Sequence, residues 1–224
     1  MSPAMTNYYT VVASFPHLPY FADAERLPLS RLRLEQRLRM LDADESRQVF
    51  QAEFLAGWRL PAGRLGSGGK IAAQYKTALQ SISQPALREF VEYRLDIQTV
   101  LAALRIRQAG SDPQQYPGSW GVGRWVKHIE AHWDATDFRL STVYPWVQDA
   151  SSCLAAADAT TLDRLLMDTV WRKLSRMGDI SPFGFEAITA FVFKWDILQA
   201  WLQRDAGAAK QRFQIMIEEI KHVQ

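Results

Sequence analysis

The chain has 224 residues, 48% of them hydrophobic and 22% charged, with 26 basic against 24 acidic side chains for a formal charge of +2. That length supports one large helical domain or two lobes of about 100 residues each. The composition is that of a globular protein, and charge so nearly balanced gives no argument for nucleic acid.

Residues 8–15, YYTVVASF, are rich in β-branched and aromatic side chains, and an isolated strand there would lack a partner for its backbone. They are expected as a short extended lead-in, or a short helical one, packed on the rest. Pro16, Pro19 and Pro28 make the next stretch irregular. Ser30 then caps a helix in which Leu32, Leu34, Leu38 and Leu41 pack while Arg31, Arg33, Arg37 and Arg39 face outward. Asp42 or Asp44 starts another helix that turns Val49, Phe50, Phe54 and Leu55 inward. Residues 61–69, PAGRLGSGG, read as a flexible loop.

Residues 83–110 read as one long helix, with Ser83 as N-cap, Pro85 in the first turn and Gly110 as a left-handed stop. Its apolar stripe is Leu87, Phe90, Tyr93, Ile97, Val100, Leu101 and Leu104. A break over 110–123 precedes a short helical run at 125–134, and Tyr144-Pro145-Trp146 opens the next helix. Thr160 or Thr161 caps a helix with Leu162, Leu165, Leu166, Thr169, Leu174 and Met177 on its buried side, ended by Gly178. Residues 181–207 then echo the first long helix: Ser, Pro, a periodic run and a closing Gly. Phe213, Met216, Ile217 and Ile220 mark a terminal amphipathic helix.

Almost every periodic segment repeats at 3.6 residues, so the expected class is all-α. The expected organisation is two related long-helix units, 1–110 and 111–224, or one compact domain. Inside the echo, Lys194-Trp195-Asp196-Ile197 repeats Arg94-Leu95-Asp96-Ile97, and the helices close on Arg105 and Arg107 in one and Arg204 in the other.

Chemistry is sparse. Residues 63–70, GRLGSGGK, invite comparison with a phosphate-binding loop, but Arg64 stands where its first glycine belongs and Ile71 where Ser or Thr belongs. His128 and His132, at i and i+4, share a helix face as a metal site requires. Glu130 lies about 200° round the helix from His128, so a third ligand has to come from Asp134, Asp137 or elsewhere. The same histidines also suit a structural stripe with Trp125, Ile129 and Trp133. Trp120, Trp125, Trp133 and Trp146 cluster in sequence and suit a core or an interface better than a stacking platform. Cys153 cannot form an internal disulfide and has no neighbouring cation to activate it. Nothing at the N-terminus reads as a signal peptide, and Lys194 and Asp196 interrupt the longest apolar run, so a cytoplasmic protein is expected.

Asp96 in a long helix, followed by Arg105 and Arg107, resembles the repeated helical unit of the C-type subunit of V-type and A-type ATPases, the d-type subunit of eukaryotic complexes. The run 191–198, FVFKWDIL, with Trp201 and Arg204, and the opening 8–16, YYTVVASFP, are similar to a smaller bacterial family of uncharacterised proteins encoded alongside V-type ATPase subunits. The resemblance implies a non-enzymatic central-stalk or assembly component, peripheral to the inner membrane. Such a part joins the shaft subunits to the proteolipid ring and binds no cofactor, nucleic acid or small-molecule substrate. Arg94, Asp96, Arg105, Arg107, Lys194, Asp196 and Arg204 are then the candidate partner-binding charges. Two departures stand out: Thr99 and Gln199 occupy the family's asparagine positions, and two units are found where the C-type ATPase component has three. The alternatives are a helical metal-dependent hydrolase using His128 and His132, and a helical adaptor that binds proteins through exposed aromatics.

Overall fold

The computed structural model describes residues 3–58, 77–115 and 120–222, and the side chains of residues 8–58, 77–113, 115 and 120–204. Among these, all regular structure is helical: α1 (Pro3–Ser14), α2 (Arg31–Leu38), α3 (Ala43–Ala56), α4 (Pro85–Gln108), α5 (Val126–Ala131), α6 (Val147–Ala155), α7 (Ala159–Ile180) and α8 (Phe185–His222). The protein is all-α. The expected 61–69 loop and its lysine lie outside the described residues, as do the side chains of Phe213, Met216, Ile217 and Ile220.

The N-terminal stretch is a helix rather than an extended lead-in. Val11 is fully buried, the Phe15 ring stacks on Phe191 with centroids 4.0 Å apart, and Tyr8 meets Phe185 edge-on. A helix satisfies its own backbone hydrogen bonds, which a lone strand here could not do. Ser30 does cap α2, its side chain accepting the Arg33 N–H. Leu34 and Leu38 are fully buried, but Leu32, about 200° round the helix from Leu34, is 65% exposed. In α3 the same arithmetic puts Val49, Ala52 and Leu55 inside and leaves Phe50 and Phe54 on the exposed side.

Helix α4 runs through the centre. Ser83 does not cap it: Gln84 precedes the first helical residue and no side chain caps the first turn. The Gln48 carboxamide oxygen, on α3, accepts the Ser83 and Gln84 N–H groups at 2.9 and 2.8 Å, with Pro85 following at the first helical position. Gly110 stops the helix with φ of +69°, as expected. Burial is not confined to one stripe: Arg94, Leu95, Asp96 and Thr99 are buried along with Phe90, Ile97, Val100 and Leu104.

Asp158, not Thr160 or Thr161, caps α7, accepting the Thr161 N–H at 3.0 Å. The helix runs on through Gly178 to Ile180. A Cβ at Gly178 would lie 3.3 Å from the Ala190 side chain, so this glycine sets the close approach of α7 to α8 instead of ending a helix. The two helices form an antiparallel hairpin, with Leu166, Val170, Leu174 and Met177 buried along the α7 side. Helix α8 likewise continues past Gly207 without a break. One hydrophobic core draws residues from Val11 to Ala200 and is continuous across residue 110. The Trp195 indole of α8, for example, donates to the Leu29 carbonyl at 2.7 Å.

Candidate functional site

The repeated motif of α4 and α8 is where the charged residues gather, and it faces inward. Arg94, Asp96 and Asp196 are 6%, 2% and 5% exposed. Helix α4 crosses beneath the C-terminal end of α3. There the Arg94 guanidinium donates from Nε to the Ala56 carbonyl at 3.1 Å and lies 4.4 Å from the centre of the Trp58 ring. The Asp196 carboxylate of α8 accepts the Trp58 N–H at 2.5 Å. The two buried charges thus grip one short segment from both sides. The cation meets the carbonyl end of α3, where the helix dipole favours it, and the anion meets the next free N–H. Burial pulls Arg94 down to about 10, opposed by the field of Asp196 and Tyr93, so the guanidinium remains charged at neutral pH.

Asp96 sits two residues further on and grips a different segment. Its Oδ2 accepts from Arg124 Nη2 at 2.8 Å, Arg124 Nε at 3.1 Å and the Tyr144 hydroxyl at 2.9 Å. Three residues along α4, the Thr99 hydroxyl accepts the Val122 N–H at 3.0 Å and donates to the Val122 carbonyl at 2.6 Å. Gly123, at φ of +107°, lets the backbone pass Asp96, since a Cβ there would lie 3.2 Å from Oδ1. Burial pushes the Asp96 carboxyl above its ordinary value, opposed by Tyr144 and Arg124. Burial, with the Asp96 charge beside it, pushes the Tyr144 phenol up to about 12.

The other expected charges scatter. Arg107 donates from Nη1 to the Ala135 carbonyl at 2.6 Å and from Nη2 to the Thr136 carbonyl, and lies 4.3 Å from the centre of the Phe138 ring. It therefore staples the turn after α5. Lys194 is half-buried over the Trp171 ring at 5.2 Å, its ammonium pulled down by burial against the field of Asp179. Arg204 pairs with Asp163 across the α7–α8 hairpin. Arg105 is exposed, and the partial burial of its head pulls its pKa down. Of the seven candidates, then, Arg105 and Arg204 stand on the surface, whereas Arg94, Asp96 and Asp196 are interior.

His128 and His132 do share a face, with ring centroids 4.3 Å apart and planes tilted by 31°. Each spends one nitrogen on a backbone carbonyl, His128 Nε2 on Phe138 at 3.0 Å and His132 Nδ1 on His128 at 2.9 Å. A carbonyl only accepts, so both of these nitrogens carry protons and are closed to a metal. No group of three His, Cys, Asp or Glu side chains placed to hold a metal occurs among the described residues. Glu130 turns away to accept the Trp120 indole N–H at 2.9 Å. The tryptophans go inward: Trp120 and Trp146 are buried, and the half-buried Trp125 donates to the Tyr144 hydroxyl at 3.1 Å.

Sequence reasoning does not reach Trp58, Arg124 and Tyr144, the residues that receive the two aspartates. The run Gly121-Val122-Gly123-Arg124 holds the only local signal. Its glycines mark a backbone passing close to a helix, and a Cβ at Gly121 would lie 2.7 Å from Thr99. Chemically the arrangement is a pair of clamps, with each carboxylate accepting from fixed donors.

A family model described as Protein of unknown function (DUF2764) matches residues 48–224, and the chain belongs to that family. No curated protein and no solved structure matches the chain.

Proposed function

We propose that this DUF2764 protein is a non-catalytic component of a bacterial V-type ATPase, acting in the central stalk between the shaft subunits and the proteolipid ring or in assembling that joint. The observation that carries the reading is the pair of Asp-Ile helices whose aspartates each clamp a connecting segment. It is joined by the resemblance of those helices and of the Tyr8-Tyr9 stretch to proteins of that machine. A part that transmits torque needs helices that cannot slide on one another, and inward clamps at Arg94–Asp196 and Asp96–Arg124 supply that stiffness. The exposed charge of Arg105 is then left to set register with a partner. No helix among the described residues is long and apolar enough to cross a membrane.

Co-purification tests the reading. A tagged full-length chain expressed in its own cell is expected to bring down proteolipid or shaft subunits, and recovery of neither contradicts it.

A further inference from the structure

Helix α2 holds on to the protein by one side and presents the other in an ordered pattern. Leu34 and Leu38 are fully buried, and Arg31 is taken up by Glu35 and Glu53, both at 2.6 Å. On the far side Leu32 and Gln36 lie one turn apart on the helix, and Met40 follows in the turn just past its C-cap, Arg39. Leu32 is 65% and Met40 39% exposed, with Gln36 exposed between them. Arg33 and Arg37 flank this ridge on one side and Arg39 on the other.

The three flanking guanidiniums form no ion pair with any described residue. The acids closest in sequence are already engaged. Glu35 is held by Arg31, Asp42 caps α3, Asp44 pairs with Arg47, and Glu45 accepts from Tyr8. Arg37 is half-buried, and its Nη1, itself closed off from solvent, has no hydrogen-bond partner among the described residues. Two exposed apolar side chains among three cations that pair with no described acid have the composition of one half of a helix–helix interface, in which flanking charges choose the partner.

We propose that this face of α2 is a docking site for an acidic amphipathic helix of a partner protein. The partner's apolar seam packs on Leu32 and Met40, and its flanking Glu or Asp side chains pair with Arg33, Arg37 and Arg39. Two exposed apolar side chains, one on an eight-residue helix and one just past it, make too small a stripe to anchor at a bilayer. A nucleic acid would need aromatic rings to stack its bases, or cations in the centre of the face, where Gln36 stands. The inference is independent of the ATPase reading, since it specifies a chemistry of partner and no particular machine.

The test uses the full chain and a fluorescent synthetic helix of about 20 residues with leucines at its seam and glutamates beside them. Wild type is expected to raise the peptide's anisotropy. The double variant Arg33→Glu/Arg37→Glu should bind about tenfold more weakly, and Leu32→Ser about threefold more weakly, because both remove central or flanking contacts. Added salt should weaken wild type more than the double variant. Unchanged circular dichroism of both variants shows that the fold survives. The proposal is overturned by no binding, by equal binding of wild type and double variant, or by phosphatidylserine vesicles or polyuridylate displacing the peptide from wild type.

Discussion

Asp96 and Asp196 occupy the same place in a repeated pattern, and both turn inward, yet their surroundings differ in kind. Asp196 meets a backbone N–H and lies in the field of a fully interior cation, Arg94. Asp96 is met by the tip of Arg124, a side chain 65% exposed, and by a phenol. The first arrangement withdraws both charges from water, so its parts depend on each other. The second keeps one partner in solvent, where screening softens the loss of either. A sequence repeat therefore preserves the direction of a side chain without preserving the energetics of its contacts.

The contrast is sharpest when the interior cation is removed. Arg94→Met takes away the buried charge facing Asp196 and the donor to Ala56, and urea unfolding should show a loss of about 3–5 kcal/mol. Adding Asp196→Asn keeps an acceptor for the Trp58 N–H while discharging the site. The double variant should recover about 1–2 kcal/mol of that loss. Additive losses would erase the distinction between the two clamps. Arg124→Ala, on the more exposed clamp, should cost less, about 1–2 kcal/mol in the same assay, because Tyr144 still donates to Asp96.

At neutral pH Tyr144→Phe should cost about 1.5–3 kcal/mol, since it removes a hydrogen bond to a buried carboxylate and the acceptor of the Trp125 N–H. Its signature lies in alkali. The folded phenol titrates at about 12 and the unfolded one near its ordinary value of 10.0, so the stability it contributes is complete below pH 10 and is lost as pH rises toward 12. The difference in stability between wild type and Tyr144→Phe should therefore shrink across that window and stay constant between pH 7 and 9.

Much of the fold can be read from the residues because it rests on local rules. Period 3.6 identifies the class, Ser30 and Pro85 the starts of α2 and α4, and Gly110 the end of α4. The differences arise where a distant contact outweighs a local preference. Gln48 reaches across from α3 to hold the Ser83 and Gln84 N–H groups, and its amide donates to the Ser83 hydroxyl that is expected to cap α4. Gly178 stays helical because a close neighbour needs the space, and Gly207 because the alanines, lysine and glutamine around it favour helix. Leu32, Phe50 and Phe54 are expected inside because apolar residues usually are, and only the angle at which α2 and α3 lie on the core turns them out. The site is legible only in its first halves. Asp96 and Asp196 emerge from the repeat, but an aspartate in an apolar helix does not say whether it faces solvent, and Trp58, Arg124 and Tyr144 reach it from loops that carry no periodic signal.

The functional claim is tested most directly in membranes from cells lacking the chain, by measuring ATP hydrolysis and ATP-driven ion pumping of the V-type enzyme side by side. A stalk component predicts hydrolysis that no longer drives pumping, an assembly component predicts loss of both from the membrane, and the full-length chain supplied back should restore them. Membranes that hydrolyse ATP and pump ions as well without the chain as with it would contradict the account.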